Sequence, residues 1–130
     1  MTANGSRMAD SQACELCQPS MVVIEGERAY ARYDSNSLAR GHMLVIPRRH
    51  VASFFDMTGE EKIEVLSLLD RAKLQADRQF APDGYNIGVN VGEAGGQSRM
   101  HVHVHVHLIP RYRGDVPDPR GGIRCVLAKR

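Results

Sequence analysis

The sequence lacks long apolar runs, a strong net charge and an even set of cysteines. Its longest apolar segments, Met21 to Ile24 and Met43 to Pro47, are too short for a membrane-spanning helix, and no apolar signal region lies near the N-terminus. A formal net charge of +2 gives no argument for nucleic acid as a partner. Three cysteines, two of them in Cys14-x-x-Cys17, favour a reducing compartment. We therefore expect a cytoplasmic protein without membrane or nucleic-acid partners.

The residues that are present fit one domain. A chain of 130 residues with 42% hydrophobic residues can bury one core of useful size. Residues 1–12 are small and polar without periodicity, and we expect them to be disordered. We assign residues 13–130 to a single domain, in which residues 111–130 form an extended basic tail.

Strand patterns flank a single helix pattern. The strand patterns run from Met21 to Ile24, Arg28 to Tyr33, His42 to Pro47, Tyr85 to Val91 and Met100 to Ile109. Thr58 and Glu61 form a capping box that opens a helix. Its core face consists of apolar residues at helical spacing, namely Val65, Leu68, Leu69, Ala72 and Ala76. This order of elements predicts an α+β fold with a largely antiparallel sheet.

Four histidines alternate with valines in the last strand pattern. They are His101, His103, His105 and His107. The period of two predicts that the imidazoles share one face and the valines the other. We expect the valines to pack beneath the helix and the imidazoles to face outward. Such a row can bind a metal, or it can offer a neutral ring nitrogen as a nucleophile beside proton donors.

A glycine-bearing loop leads directly into the histidines. It runs from Gly92 to Ser98, and its glycines allow backbone amides to approach an anion closely. Gln97 and Ser98 add side-chain donors. The loop therefore favours an anion site beside the imidazoles.

These motifs together resemble the histidine triad family. His103 to Ile109 matches its alternation of histidine and apolar residues, and other matching segments follow in the same order along nearly the whole chain. They are Cys14-x-x-Cys17, Asp34 with Gly41 to His50, Asp83 to Asn90, Gly95 to Ser98 and Pro110 to Val116. The likeness is strongest to bacterial members described as diadenosine polyphosphate hydrolases.

The resemblance implies a fold and a reaction. The fold is an antiparallel sheet of about five strands with one main helix, in a homodimer with a continuous sheet. In the reaction, the middle histidine attacks the α-phosphate of a nucleotide such as a dinucleoside polyphosphate, and water then releases the nucleoside monophosphate. Alternatives are a phosphoramidase or phosphorylase of the same family, or a metal- or nucleotide-binding module without turnover.

The nucleophile can be counted in two ways, because this chain has four alternating histidines where the family motif has three. Counting back from Pro110-Arg111 selects His105, whereas counting from Gln97 selects His103. Only the first count keeps two aliphatic residues between the last histidine and the proline. We therefore favour His105 as nucleophile, with His107 as the second catalytic histidine.

The resemblance also implies binding residues and a structural zinc ion. Asp34 matches the acid that binds the ribose hydroxyls. The remaining substrate contacts are Asn90, Gly96, Gln97, Ser98 and His107. Two cysteines at this spacing are half a zinc site, and the full set of zinc ligands is Cys14, Cys17, His50 and His103, or His101 in the other register.

Overall fold

The computed structural model describes residues 14–98 and 102–127. Within them, five strands and one long helix follow the order β1 (Val22–Glu25), β2 (Ala29–Tyr33), β3 (Met43–Pro47), α1 (Gly59–Phe80), β4 (Gly84–Val89) and β5 (Val106–Arg111). The strands form one antiparallel sheet in the order β1-β2-β3-β5-β4. The predicted α+β architecture is confirmed. No helix in these ranges is long and apolar enough to cross a membrane.

The capping box at the start of α1 is confirmed. Thr58 Oγ1 accepts from the Glu61 amide at 3.0 Å, and the Glu61 carboxylate accepts from the Thr58 amide at 2.8 Å. The same carboxylate pairs with Arg49 at 2.9 Å. Because Arg49 directly precedes His50, this pair fixes the segment that carries one of the expected metal ligands.

The helix covers one face of the sheet. All five predicted core residues of α1 are buried in one cluster with Val104 and with residues of the sheet: Ala29, Ala31, Met43, Val45, Val106 and Leu108. The opposite face carries a smaller apolar cluster, made of Leu16, Tyr30, Leu44 and Ile46. Tyr30 donates its hydroxyl hydrogen to the Leu16 carbonyl at 2.5 Å. The N-terminal segment thereby covers part of the face that α1 leaves open.

The last strand begins later than the sequence predicted. β5 starts at Val106, residues 102–105 are not strand, and the first two residues of the prediction, 100–101 with His101, lie outside the described ranges. Two contacts account for the difference. The Pro47 carbonyl accepts from the His103 ring at 2.7 Å, and the Val104 amide donates to the Val51 carbonyl at 2.8 Å. These groups are therefore not used in the β3–β5 ladder.

The predicted burial is correct for the two valines that pack under α1, but the predicted exposure is wrong for one histidine. Val104 and Val106 are buried, as expected, whereas Val102 is exposed. His105 and His107 are half-buried, but His103 is completely buried. The reason is that the N-terminal segment covers the sheet at that point.

The tail is not simply extended. Arg111, at the end of β5, pairs with Asp115 at 2.8 Å and donates to Asn86 at 2.6 Å. Beyond these contacts, Gly122–Leu127 forms a 3-10 helix. A second 3-10 helix, Phe54–Asp56, precedes α1. Neither was predicted, because each is too short to show an apolar period.

Candidate active site and metal centre

Four side chains from three segments meet beside the ends of β3 and β5. Cys14 and Cys17 belong to the N-terminal segment, His50 follows β3, and His103 precedes β5. Their ligand atoms all lie within 4.8 Å of one another. His50 Nδ1 lies 3.0 Å from Cys17 Sγ, and His103 Nδ1 lies 3.4 Å from the same sulfur. Cys14 Sγ lies 3.5 Å from His103 Nδ1.

This donor set fits a tetrahedral zinc ion. Zn–S and Zn–N bonds of about 2.3 and 2.0 Å separate neighbouring ligand atoms by roughly 3.3–3.8 Å, close to the spacing found here. His103 Nε2–H donates to the Pro47 carbonyl, so Nδ1 presents its lone pair towards the sulfurs. Burial lowers the pKa of His103 to about 4, which keeps the ring neutral, as a ligand must be.

His105 is oriented by the backbone of His103. Its Nδ1–H donates to the His103 carbonyl oxygen at 2.9 Å, so Nε2 is the unprotonated nitrogen of the neutral ring. The ring lines a cleft of about 190 Å³, which we call the His105 cleft; its lining includes Arg32, Asp34 and Leu44. An imidazole held in this tautomer can attack an electrophile through Nε2.

His107 is oriented by a histidine that directly precedes β3. The Leu38 amide donates to His42 Nδ1 at 3.3 Å, so the proton of His42 is on Nε2. His42 Nε2 lies 2.9 Å from His107 Nδ1 and 3.6 Å from an Asp34 carboxylate oxygen. His107 Nδ1 is therefore an acceptor, and its proton is on Nε2. That N–H is available to stabilise negative charge or to protonate a leaving group.

Both members of this pair are neutral near pH 7. Burial, with smaller contributions from His105 and His42, lowers the pKa of His107 to about 4. Burial also lowers the pKa of His42, and the Asp34 carboxylate opposes this shift. A neutral His107 acts as a hydrogen-bond donor of defined direction.

Three of the predicted substrate residues, Asp34, Asn90 and His107, line a second cleft. This cleft, of about 380 Å³, contains His107 and adjoins the first at Asp34 and Asn36; we call it the His107 cleft. Asn90 lines it, as does Ile123 of the C-terminal 3-10 helix. Asp34 also has a local role, because one carboxylate oxygen accepts from the Asn36 amide at 3.0 Å.

The glycine loop is held against the segment after β3. Gln97 donates to the Ala52 carbonyl at 2.7 Å and accepts from the Gly92 amide at 3.0 Å. Both polar atoms of its amide thus have protein partners, and its contact with phosphate stays a prediction, as does that of Ser98. Gly96 has φ +97°, and a Cβ there would lie 3.7 Å from the Asn90 amide, so glycine suits this position.

Sequence reasoning missed three residues of the site. His42 was assigned only to a strand, and Arg32 and Ile123 were assigned no role. A histidine directly before the apolar run that ends at Pro47 was the available signal for His42. For Ile123 there was no signal, because no local pattern indicates that the tail folds back to the sheet.

The fold and the clustered histidines define a histidine triad domain. The family model described as HIT domain matches residues 15–114, and the chain belongs to this family. An uncharacterized HIT-like protein of Methanocaldococcus jannaschii is 37% identical over 97 residues, covering 75% of this chain and 73% of that protein. AP-4-A phosphorylase of Mycobacterium tuberculosis is 33% identical over 99 residues, which cover 75% of this chain but only 50% of that enzyme.

Two of the further similarities are to zinc-binding proteins. A 14 kDa zinc-binding protein of Zea mays is 39% identical over 86 residues, covering 65% of this chain and 67% of that protein. A solved Zn-bound histidine triad protein of Mycobacterium smegmatis has a TM-score of 0.72 at 30% identity, over 83% of this chain and 86% of that one. A HIT family structure from Bacillus anthracis has a TM-score of 0.71 at 33% identity, over 76% and 73% of the two chains.

Proposed function

We propose that this protein is a nucleotide hydrolase or transferase that cleaves at the α-phosphate of dinucleoside polyphosphates or related nucleotides. The observation that carries the proposal is the 2.9 Å hydrogen bond from His105 Nδ1 to the His103 carbonyl. It leaves the proton off Nε2, the nitrogen that would have to attack. Membership of the HIT family supports the same chemistry.

The reaction has two covalent steps. His105 Nε2 forms a bond to the α-phosphorus while the bond from that phosphorus to the bridging oxygen of the leaving polyphosphate breaks. His107 Nε2–H stabilises the developing negative charge and can protonate the leaving oxygen. Water then attacks the same phosphorus, releases the nucleoside monophosphate and restores the imidazole. Asp34 binds the ribose hydroxyls, and Asn90, Gly96, Gln97 and Ser98 contact the substrate.

We also infer that Cys14, Cys17, His50 and His103 hold a structural zinc ion. The spacing of their ligand atoms and the tautomer of His103 support this assignment. Zinc bound there clamps the N-terminal segment to the sheet.

The protein is a homodimer and cytoplasmic in this proposal. β4 is an edge strand of the sheet as described, so a second copy of β4 can extend it. Ile63, Leu66 and Leu74 on α1 expose between 53% and 70% of their surface. A dimer through β4 and α1 would cover both features.

A phosphorylase is the second candidate, and it is favoured by one observation, the similarity to a protein named AP-4-A phosphorylase. The covalent step would be the same, but inorganic phosphate would replace water as the acceptor. Diadenosine tetraphosphate incubated with and without phosphate distinguishes the two. AMP as product indicates hydrolysis, whereas phosphate-dependent ADP indicates phosphorolysis. A module without turnover would give neither product.

The nucleophile can be tested by trapping the adduct. Incubation with a slow nucleotide substrate, an alkaline quench that preserves the acid-labile P–N bond, and mass spectrometry of the digest should place the nucleotidyl group on His105. His105→Ala should lose turnover by a factor on the order of 10³ or more while nucleotide binding remains. An adduct on His103 would contradict the assignment, and turnover without any histidine adduct would exclude the covalent mechanism.

A further inference from the structure

Arg32 is a buried cation in the wall of the His105 cleft. It exposes only 7% of its surface. Its Nε donates to the Tyr33 carbonyl at 3.2 Å, and no carboxylate within residues 14–98 and 102–127 forms an ion pair with it. A buried guanidinium without a counter-charge is costly unless its remaining N–H groups find acceptors. Since Arg32 lines a cleft, a bound ligand is the natural source of those acceptors.

The sheet register sets the distance between Arg32 and the catalytic histidines. Arg32 is paired with Leu44 across β2 and β3, and Leu44 is paired with His107 across β3 and β5. Directly paired residues point to the same face of a sheet. Arg32 and His107 therefore share one face, two strand spacings or about 10 Å apart. This is the length of a nucleoside rather than of one phosphate group.

The surface between these two residues is apolar. Leu44 lies at its centre, and Leu16 from the N-terminal segment lines the same cleft. With a phosphate at His105 and the ribose at Asp34, the part of the ligand that reaches Arg32 lies over leucine side chains. A flat nucleobase suits such a surface better than a second phosphate, which would pair with Arg32 alone and lose the rest of its hydration over the leucines.

We propose, on the basis of the function proposed above, that Arg32 makes this protein select guanine-type bases over adenine. A guanidinium presents paired N–H donors, which match the adjacent acceptors N7 and O6 of guanine. Adenine has N7 but carries an amino donor in place of O6, so one N–H of Arg32 would lose its acceptor.

An internal competition tests this preference. The full-length protein is given P1-adenosine P4-guanosine tetraphosphate, and the products are separated by chromatography. Attack on the guanosine side gives GMP and ATP, and attack on the adenosine side gives AMP and GTP. We expect GMP to exceed AMP by roughly tenfold, the discrimination of one bidentate base contact. Arg32→Leu should bring the ratio near one, whereas Arg71→Leu, which removes an exposed arginine from α1, should leave it unchanged.

The other outcomes are also decisive. A ratio near one in the unmodified protein, or an unchanged ratio in Arg32→Leu, would overturn the proposal. If Arg32→Leu does not fold, Arg32→Gln takes its place in the experiment. The substrate is then the corresponding inosine compound, and the ratio of IMP to AMP is measured. If no nucleotide is cleaved at all, the proposed function fails, and the affinities for GMP and AMP then decide whether Arg32 reads the base. Equal affinities would refute it.

Discussion

Three imidazoles of the site each have their proton located by one neighbour. The Pro47 carbonyl holds the proton of His103 on Nε2, and the His103 carbonyl holds that of His105 on Nδ1. His42 donates a hydrogen bond to His107 Nδ1, so the proton of His107 is on Nε2. Three histidines of one repeating motif thus have three different tasks: metal ligand, nucleophile and donor.

The repeat itself could be predicted from the sequence, but the division of tasks could not. Period-two spacing identified His103, His105 and His107 as neighbours. Which ring nitrogen keeps its proton depends on carbonyls and on His42, which lies 65 positions before His107. Such long-range contacts leave no mark on the spacing of the motif.

Removing the donor from His42 should disable His107. In His42→Leu, His107 loses the partner that holds its proton on Nε2, and we expect kcat to fall roughly a hundredfold, the scale of one acid–base contribution. His42→Gln keeps a side-chain N–H near the same place and should recover much of the rate. Steady-state kinetics, with circular dichroism to verify folding, measures both variants. Equal losses in the two variants would indicate that His42 serves packing only.

At the scale of elements, α1 and β5 illustrate opposite limits of sequence reasoning. The helix could be predicted from a capping box and an apolar period. Both are local signals, because the residues that form them lie within a few positions of each other along the chain. The start of β5 could not be predicted from the sequence, although its alternating pattern was the clearest in the chain. Residues before Val106 are fixed by the cysteine–histidine cluster and by Val51 instead of by the neighbouring strand.

The metal cluster should stabilise the N-terminal segment. We expect about one zinc per chain in protein prepared without a histidine tag, as one closed four-ligand site requires. Cys17→Ala should lose the metal and lower Tm by roughly 10 °C, because the segment is then attached mainly through Leu16. Nucleotide affinity should change less.

Cys125→Ala is the matched control, because Cys125 is exposed and outside the cluster. It should keep both zinc content and Tm. Metal-free protein with an unchanged Tm, measured by elemental analysis and calorimetry, would refute the zinc assignment.

At the scale of the whole molecule, one side of the described structure exposes an edge strand and apolar helix residues. β4 pairs only with β5 in the described sheet, and the apolar residues Ile63, Leu66 and Leu74 lie on the outer surface of α1. The sequence predicted the helix and its buried face. It could not predict which outer residues form an interface, because helical spacing separates buried from outer positions without identifying a partner.

The dimer can be tested with a charge on that surface. The unmodified protein should sediment as a dimer at about micromolar concentration, and Leu66→Lys should shift it towards monomer because a buried lysine at the interface is unpaired. Met21→Lys adds the same charge beside β1, at the opposite edge of the sheet, and should remain dimeric. A monomeric unmodified protein would contradict the proposed assembly.

His103 belongs to both halves of the site, and this makes two ligands interdependent. Its ring faces the cysteine sulfurs, while its carbonyl fixes the tautomer of His105. Any shift of His103 on loss of metal therefore reorients the nitrogen that would receive the phosphate. Thermodynamic linkage makes the effect reciprocal: whatever factor zinc contributes to nucleotide affinity, bound nucleotide contributes to zinc retention. Slower release of zinc to a chelator in the presence of nucleotide would demonstrate that coupling.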